Sequence, residues 1–100
     1  MTPLDALHGL KVLELGQLIA GPFAGKTLAD FGADVIKIEP VDGGDPLRAW
    51  RMLRDGTSVW WEVQSRNKRS VALDLRSPEG QAAVRALAAE ADVLIENFKP

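Results

Sequence analysis

Positions 20–27, A-G-P-F-A-G-K-T, are the stretch whose residue types and spacing come closest to a known chemistry. With alanine allowed in the first place they satisfy a phosphate-loop pattern, in which Lys26 reaches the β- and γ-phosphates of a nucleotide and Thr27 a magnesium ion. Gly16, Gly21 and Gly25 permit close backbone approach and unusual dihedrals, and the start of a helix leaves N–H groups available to an anion. Three features oppose the nucleotide reading. Pro22 has no N–H to add to a cradle. Residues 16–19 separate the pattern from the preceding strand, which a phosphate loop follows directly. A helix beginning only at Gly25 is too short to be stable, whereas one beginning near Pro22 buries Lys26 in its interior. Spacing alone leaves two readings of the turn, a phosphate-bearing ligand at a helix start or a tight structural turn.

The elements that must position this turn are legible in the surrounding pattern. Residues 11–15 form a short, mostly apolar run suited to a buried parallel strand. The helix after the turn places Phe23, Thr27, Leu28 and Phe31 on one face, predicted to pack on a sheet, and Gly32 ends it with a left-handed cap. Residues 34–39, D-V-I-K-I-E, are a second strand closed by Pro40. Residues 41–57 carry loop signals, with one or two helical turns around 48–54, and residues 58–64 suit a short strand or a short helix equally. A third strand is predicted over 70–75. Ser77 and Pro78 then cap and open a helix with Glu79 in its first turn and Ala83, Val84, Leu87 and Ala88 on its buried face. Residues 91–96 are a fourth strand, and residues 97–100 leave it on the side of the sheet where the first turn lies. Alternating strands and helices imply a parallel, doubly wound α/β fold, whose ligands bind outside the carboxyl ends of the strands.

Composition narrows the classes. The 100 residues allow one small domain, and 46% hydrophobic with 26% charged residues is ordinary for a globular protein. There is no cysteine, which excludes disulfides, thiolate nucleophiles and Cys-based metal sites and suits a reducing compartment. No leader pattern opens the chain and no apolar run approaches the roughly 18 residues that span a bilayer, so a cytoplasmic setting without membrane contact is expected. The lone His8 has no partner that suggests catalysis. The net charge of −2 is uneven: Arg48 to Arg76 holds seven basic and three acidic residues, a local +4. That segment is either a solvated face or an attraction for a polyanion. Nucleic acid is not expected, because no helical basic stripe is interleaved with aromatics.

Several blocks in order resemble the class III CoA-transferases of the CaiB/BaiF type, a family that also includes acyl-CoA racemases. They are L-x-G-L-K-V-L-E-L at 7–15, Ala20-Gly21-Pro22, D-F-G-A-D-V-I-K-I-E-P at 30–40, and Gly44-Asp45-Pro46 with Arg48. Asn67-Lys68-Arg69-Ser70, L-D-L-R-S-P-E-G at 73–80 and A-D-V-L-I-E-N-F-K-P at 91–100 complete the set. The resemblance covers about residues 7–100 and implies that the chain is the amino-terminal part of a Rossmann-like, CoA-binding domain. In complete members that domain belongs to an interlocked homodimer. It implies further that an aspartate attacks acyl-CoA and passes CoA through anhydride and thioester intermediates to a second carboxylic acid. CoA is then a substrate and not a permanently held cofactor.

Carried over residue by residue, the resemblance places Ile19 and Ala20 in the turn that approaches CoA, Leu73 and Arg76 near its adenine and phosphates, and Asn97 and Phe98 at further contacts. A permanent cation on a loop makes Arg76 a suitable phosphate partner in its own right, while core packing accounts equally for Leu73 and Phe98. Asn67, Lys68 and Arg69 are expected to stabilise the strand entry, or Lys68 and Arg69 to supply positive field. Members acting on oxalate carry glutamine where Ile19 stands, and Gln17 lies two residues earlier, which weakens that substrate assignment. The family's catalytic aspartate lies downstream of the last block; Asp30, Asp34, Asp45, Asp74 and Asp92 match no catalytic position. The isolated chain is therefore expected to lack transfer activity, and to expose apolar surface that a second subunit and further chain cover. The alternatives are a racemase of the same family, a phosphate-loop NTPase, and a non-enzymatic binding module anchored by exposed Trp50, Trp60 and Trp61.

Overall fold

A computed structural model describes residues 6–99; Pro3 of the lead-in and Pro100 of the last block lie outside the described residues. Four strands, β1 (Lys11–Glu14), β2 (Asp34–Glu39), β5 (Lys68–Ala72) and β6 (Val93–Ile95), form one sheet in the order β5-β2-β1-β6, with every neighbouring pair parallel. A small antiparallel pair, β3 (Leu53–Arg54) and β4 (Thr57–Ser58), stands apart from it. The helices are α1 (Ala20–Asp30), α2 (Val59–Gln64) and α3 (Pro78–Glu90), with a 3-10 turn at Pro46–Ala49. The main sheet has the order of a Rossmann half, and the strand order reverses between β1 and β6, the position at which such sheets open a ligand crevice.

α1 begins at Ala20, two residues before the predicted start, and packs on the sheet through Gly21, Pro22, Gly25 and Ala29. Of the apolar face expected to be buried, Leu28 packs against the core, but Phe23 and Phe31 point outward, 55% and 46% exposed. Small residues won the inner face because they bring the helix axis close to the strands. Ala29 and Ala33 join Val12 and Val35 in the core, flanked by Leu28, Val93 and Ile95. Gly32, at φ 101°, ends the helix as expected, the Gly32 N–H donating to the Ala29 C=O and the Ala33 N–H to the Leu28 C=O.

On the other face, Leu87 of α3 meets Leu13 and Ile36 across a small gap. Ala83 and Val84 are half-buried, but Ala88, predicted to be inside, is exposed. Ser77 caps α3 by accepting from the Gly80 N–H at 2.9 Å, with Pro78 in the first turn. The third main-sheet strand starts and stops earlier than its pattern suggested. The Asp74 carboxylate accepts the Arg76 N–H at 3.0 Å, and this turn carries the chain off the sheet.

The stretch read as loop over 41–57 contains order that the sequence did signal. Asp55 and Gly56 both have positive φ, 53° and 81°, the two-residue turn that joins β3 to β4. Ser58 then accepts from the Trp60 and Trp61 N–H groups and resolves the ambiguous 58–64 segment as a helix. Trp50 and Trp61 are half-buried, each beneath an arginine, Arg51 at 4.2 Å and Arg48 at 4.0 Å, and only Trp60 is exposed as the binding-module reading expected.

Candidate functional site

The sheet's α1 face carries charges where the apolar runs predicted a plain core. In β1 and β2 the alternation that turns Val12 and Val35 inward also turns Glu14, Lys37 and Glu39 inward, and the register sets Glu14 beside Lys37. Glu14 and Lys37 are no more than 1% exposed, so they persist only as partners. The Lys37 ammonium lies 2.7 Å from Glu14 Oε2 and 2.8 Å from Asp45 Oδ2, and donates to the Gly16 C=O at 2.9 Å. Lys68 Nζ lies 2.7 Å from Glu14 Oε1 and donates to the Pro22 C=O at 2.8 Å. Glu14 Oε1 and Asp45 Oδ2 meet these ammonium groups off the hydrogen-bond direction and are held by charge. Burial lowers the Lys68 pKa, and Glu14 works against that shift. The cluster is neutral: two cations, two carboxylates.

Glu39 heads a second cluster. It accepts from Arg48 Nε and Nη2 at 2.7 and 2.8 Å, from the Ser70 hydroxyl, and from the Asp45 N–H at 2.8 Å. Burial alone raises its pKa, but the bonds from Arg48, Ser70 and Asp45 prevail and hold it at about 2 against an ordinary 4.5. A depressed carboxylate stabilises the fold above its unfolded pKa and loses that contribution as pH falls through the folded one. Acid titration of folding is therefore expected to remove on the order of 3 kcal/mol between pH 4.5 and 2, and Glu39→Gln to flatten that limb when unfolding is followed by circular dichroism. A wild-type acid limb unchanged in Glu39→Gln would contradict the assignment.

These pairings account for three of the seven basic residues between Arg48 and Arg76. Arg48, Lys68 and Arg69 are committed to Glu39, Glu14 and Asp34, the last at 2.7 Å, so Lys68 and Arg69 stabilise the strand entry and supply no free positive field. Asn67 does the same work, donating to Asp30 at 3.0 Å. Lys26 sits inside α1, paired with Asp30 at 3.1 Å, and Thr27 donates to the Phe23 C=O. Neither faces a cradle, and the phosphate-loop reading has no geometry behind it.

The turn itself is built differently from its glycine pattern. Gly16, Gly21 and Gly25 serve close packing within the fold. A Cβ on Gly16 would lie 2.6 Å from Asn97 Oδ1 and 2.9 Å from the Gly21 Cα, and one on Gly25 would lie 1.9 Å from Glu14 Oε1. The residue with the unusual dihedral is Leu18, at φ 63°, a conformation that costs a leucine on the order of 1 kcal/mol. Asn97 locks the neighbouring residue from the β6 side, accepting the Gln17 N–H at 2.8 Å and donating to the Gln17 C=O at 3.1 Å.

Beyond the carboxyl ends of the main-sheet strands lies a cleft of about 380 Å³, within the usual range for small-molecule sites. Leu15 and Gln17 enter it after β1, Pro40, Val41 and Asp42 after β2, Leu73 to Arg76 after β5, and Phe98 after β6. Of the residues singled out from sequence, Leu73, Arg76 and Phe98 are brought together here. Asn97 stands behind Gln17 with both polar atoms engaged, while Ile19 and Ala20 open α1 outside the lining. Arg76 is exposed and makes no ion pair within the described residues. Sequence reading missed Gln17 as a lining residue and the buried charges Glu14 and Lys37; Lys37 and Glu39, two apart and in phase with Val35 in an otherwise apolar strand, were the available signal. Among the described residues no group of His, Cys, Asp or Glu is arranged to hold a metal, and no helix is long and apolar enough to cross a membrane.

Comparison with known proteins agrees with this architecture. The sequence model of CoA-transferase family III matches residues 7–100. The chain is 52% identical over 99 residues to succinyl-CoA–D-citramalate CoA-transferase of Chloroflexus aurantiacus, covering 98% of this chain and 25% of that protein. It is 49% identical to succinate–glutarate CoA-transferase of Agrobacterium fabrum, covering 93% of this chain and 25% of that protein. The crystal structure of a CaiB/BaiF family protein from Brucella suis superposes with a TM-score of 0.86 at 47% identity, over 95% of this chain and 26% of that one. The chain thus spans about a quarter of the length of the curated relatives it matches. With the family pattern matched along nearly all its length and its fold superposing on a solved member, the chain belongs to CoA-transferase family III.

Proposed function

We propose that this chain is the amino-terminal part of the CoA-binding, Rossmann-like domain of a CoA-transferase that moves CoA between small carboxylic acids. The observation that carries the reading is the cleft at the strand ends, where Arg76 stands beside Leu73 and Phe98. Arg76 is the phosphate partner, a permanent planar cation held on an ordered turn. Leu73 and Phe98 supply apolar contact to the adenine or pantetheine, and the turn containing Ile19 and Ala20 approaches CoA from the α1 side, with Asn97 shaping its base. The relatives named for succinyl-CoA and glutarate favour dicarboxylic acids as donor and acceptor. CoA is consumed and released as substrate, in a cytoplasmic enzyme that pairs with a second copy.

The chain by itself holds the binding half of this chemistry. Transfer requires a carboxylate to attack the thioester carbonyl, expelling CoA thiolate and leaving an aspartyl anhydride. Thiolate then attacks the aspartyl carbonyl, releases the first acid and forms an enzyme thioester; the second acid's carboxylate attacks that thioester and expels thiolate to give a second anhydride, whose acyl carbonyl the thiolate attacks to yield the new acyl-CoA and free the aspartate. Asp30, Asp34, Asp45, Asp74 and Asp92 are each engaged, with Lys26, Arg69, Lys37, the Arg76 N–H and the Lys11 N–H. The nucleophile of this reading is an aspartate beyond residue 100.

Titration calorimetry with CoA tests it. The chain is expected to bind CoA, and Arg76→Ala to weaken that affinity about tenfold, the worth of one charge-assisted phosphate contact. Incubated with succinyl-CoA and glutarate, the same sample is expected to form no glutaryl-CoA. Absence of CoA binding, or affinity untouched by Arg76→Ala, would overturn the site; glutaryl-CoA above the blank would overturn the division of labour.

A further inference from the structure

We infer that Asp45 is a positioning residue, one that holds the 16–19 turn in its cleft-facing shape by gripping the Leu18 N–H; its bearing on CoA rests on the function proposed above. Leu18 sits at φ 63°, where a leucine does not settle unaided. Its N–H donates to Asp45 Oδ1 at 3.1 Å, a residue 27 positions away. Asp45 is 1% exposed and has little freedom to yield. Its own N–H is fixed on Glu39 Oε2 at 2.8 Å, its Oδ1 also accepts the Leu47 N–H at 2.9 Å, and its Oδ2 faces the Lys37 ammonium at 2.8 Å.

The same ammonium takes the Gly16 C=O at 2.9 Å. Both ends of the turn are therefore tied to one buried ion pair, and between them Gln17 is clamped by Asn97 and lines the cleft. Val41 and Asp42, on the chain leading to Asp45, line the same cleft from the β2 side. Asp45 thus joins two of its walls. A salt bridge that served stability alone would need only Lys37. The bond to Leu18 aims the remaining oxygen at the single left-handed residue of the turn.

Glycine adopts the left-handed region without penalty, so Leu18→Gly should relieve the turn of its dependence on Asp45. In Asp45→Ala, exchange of the Leu18 amide measured by NMR is expected to rise at least tenfold relative to that of Leu13 in the same sample, Leu13 reporting how far the whole fold is destabilised. Asp45→Asn, which keeps the Oδ1 acceptor and folds more readily, is expected to retain most of that protection. CoA affinity by calorimetry is expected to fall about tenfold in Asp45→Ala and to recover to within about threefold of wild type in Asp45→Ala/Leu18→Gly, although the double variant stays less stable to heat. Leu18 and Leu13 protection falling in step, or affinity that Leu18→Gly does not restore, would overturn the inference. A wild-type chain without CoA affinity overturns the proposed function and the ligand half of this one, whereas selective loss of Leu18 protection in Asp45→Ala upholds the grip itself.

Discussion

Replacing Glu14 with leucine is expected to cost about 3–5 kcal/mol, a large share of the roughly 5–15 kcal/mol that holds a domain of this size together. Leucine fits the space and gains apolar burial, yet it leaves Lys68 with no anion and Lys37 with one of its two in a site that water does not reach. Removing one member of a buried pair is costly because the other stays charged and desolvated; removing both is far milder. Glu14→Leu/Lys68→Met is accordingly expected to regain most of the loss, since Lys37 keeps Asp45 and the Gly16 C=O. Urea denaturation followed by tryptophan fluorescence measures both. A single variant within about 1 kcal/mol of wild type would mean that the cluster is hydrated or slack.

Gly25→Ala carries the second large effect, and its sign distinguishes local from tertiary control. In an exposed helix interior alanine is worth about 1 kcal/mol more than glycine, so helix propensity alone predicts a stabilised protein. At this position the new Cβ would meet Glu14 Oε1 at 1.9 Å and Lys68 Cε at 3.4 Å. Either α1 lifts from the sheet or the carboxylate leaves its ammonium partners. Overpacking costs about 1–3 kcal/mol and the disturbed pairs add to it, so a net loss of about 2–3 kcal/mol is expected. A rise in the urea midpoint would show that α1 leaves room for a methyl group above Glu14.

What the sequence determined by itself was whatever depends on neighbours along the chain. Ser77-Pro78 opened α3 because a hydroxyl and a missing N–H act within one turn. Gly32 closed α1 because only that residue reaches the left-handed cap without cost. Alternation of strands and helices yielded the parallel α/β class, and the ordered blocks from residue 7 onward were sufficient for the family. Asp55-Gly56 belonged to this local class too, a hairpin-turn pair inside the stretch read only as loop.

The tertiary structure decided which partner each charge takes and which face each helix turns inward, because both depend on groups distant in sequence. Nothing local distinguishes Phe23 from Gly25 as the buried member of α1; the carboxylate of Glu14 beneath the helix does, by leaving no room for a side chain. The apolar run of β2 conceals Lys37 as a core residue until β1 brings Glu14 alongside in register and the 40s loop brings Asp45. The turn was read as a glycine device, yet its distinctive backbone belongs to Leu18, held by an aspartate that no helical or strand period relates to it. Leu73, Arg76 and Phe98 become one cleft only when β5 and β6 take opposite flanks of the sheet. Long-range pairing set these features, and loop closure, not local propensity, governs which distant groups meet.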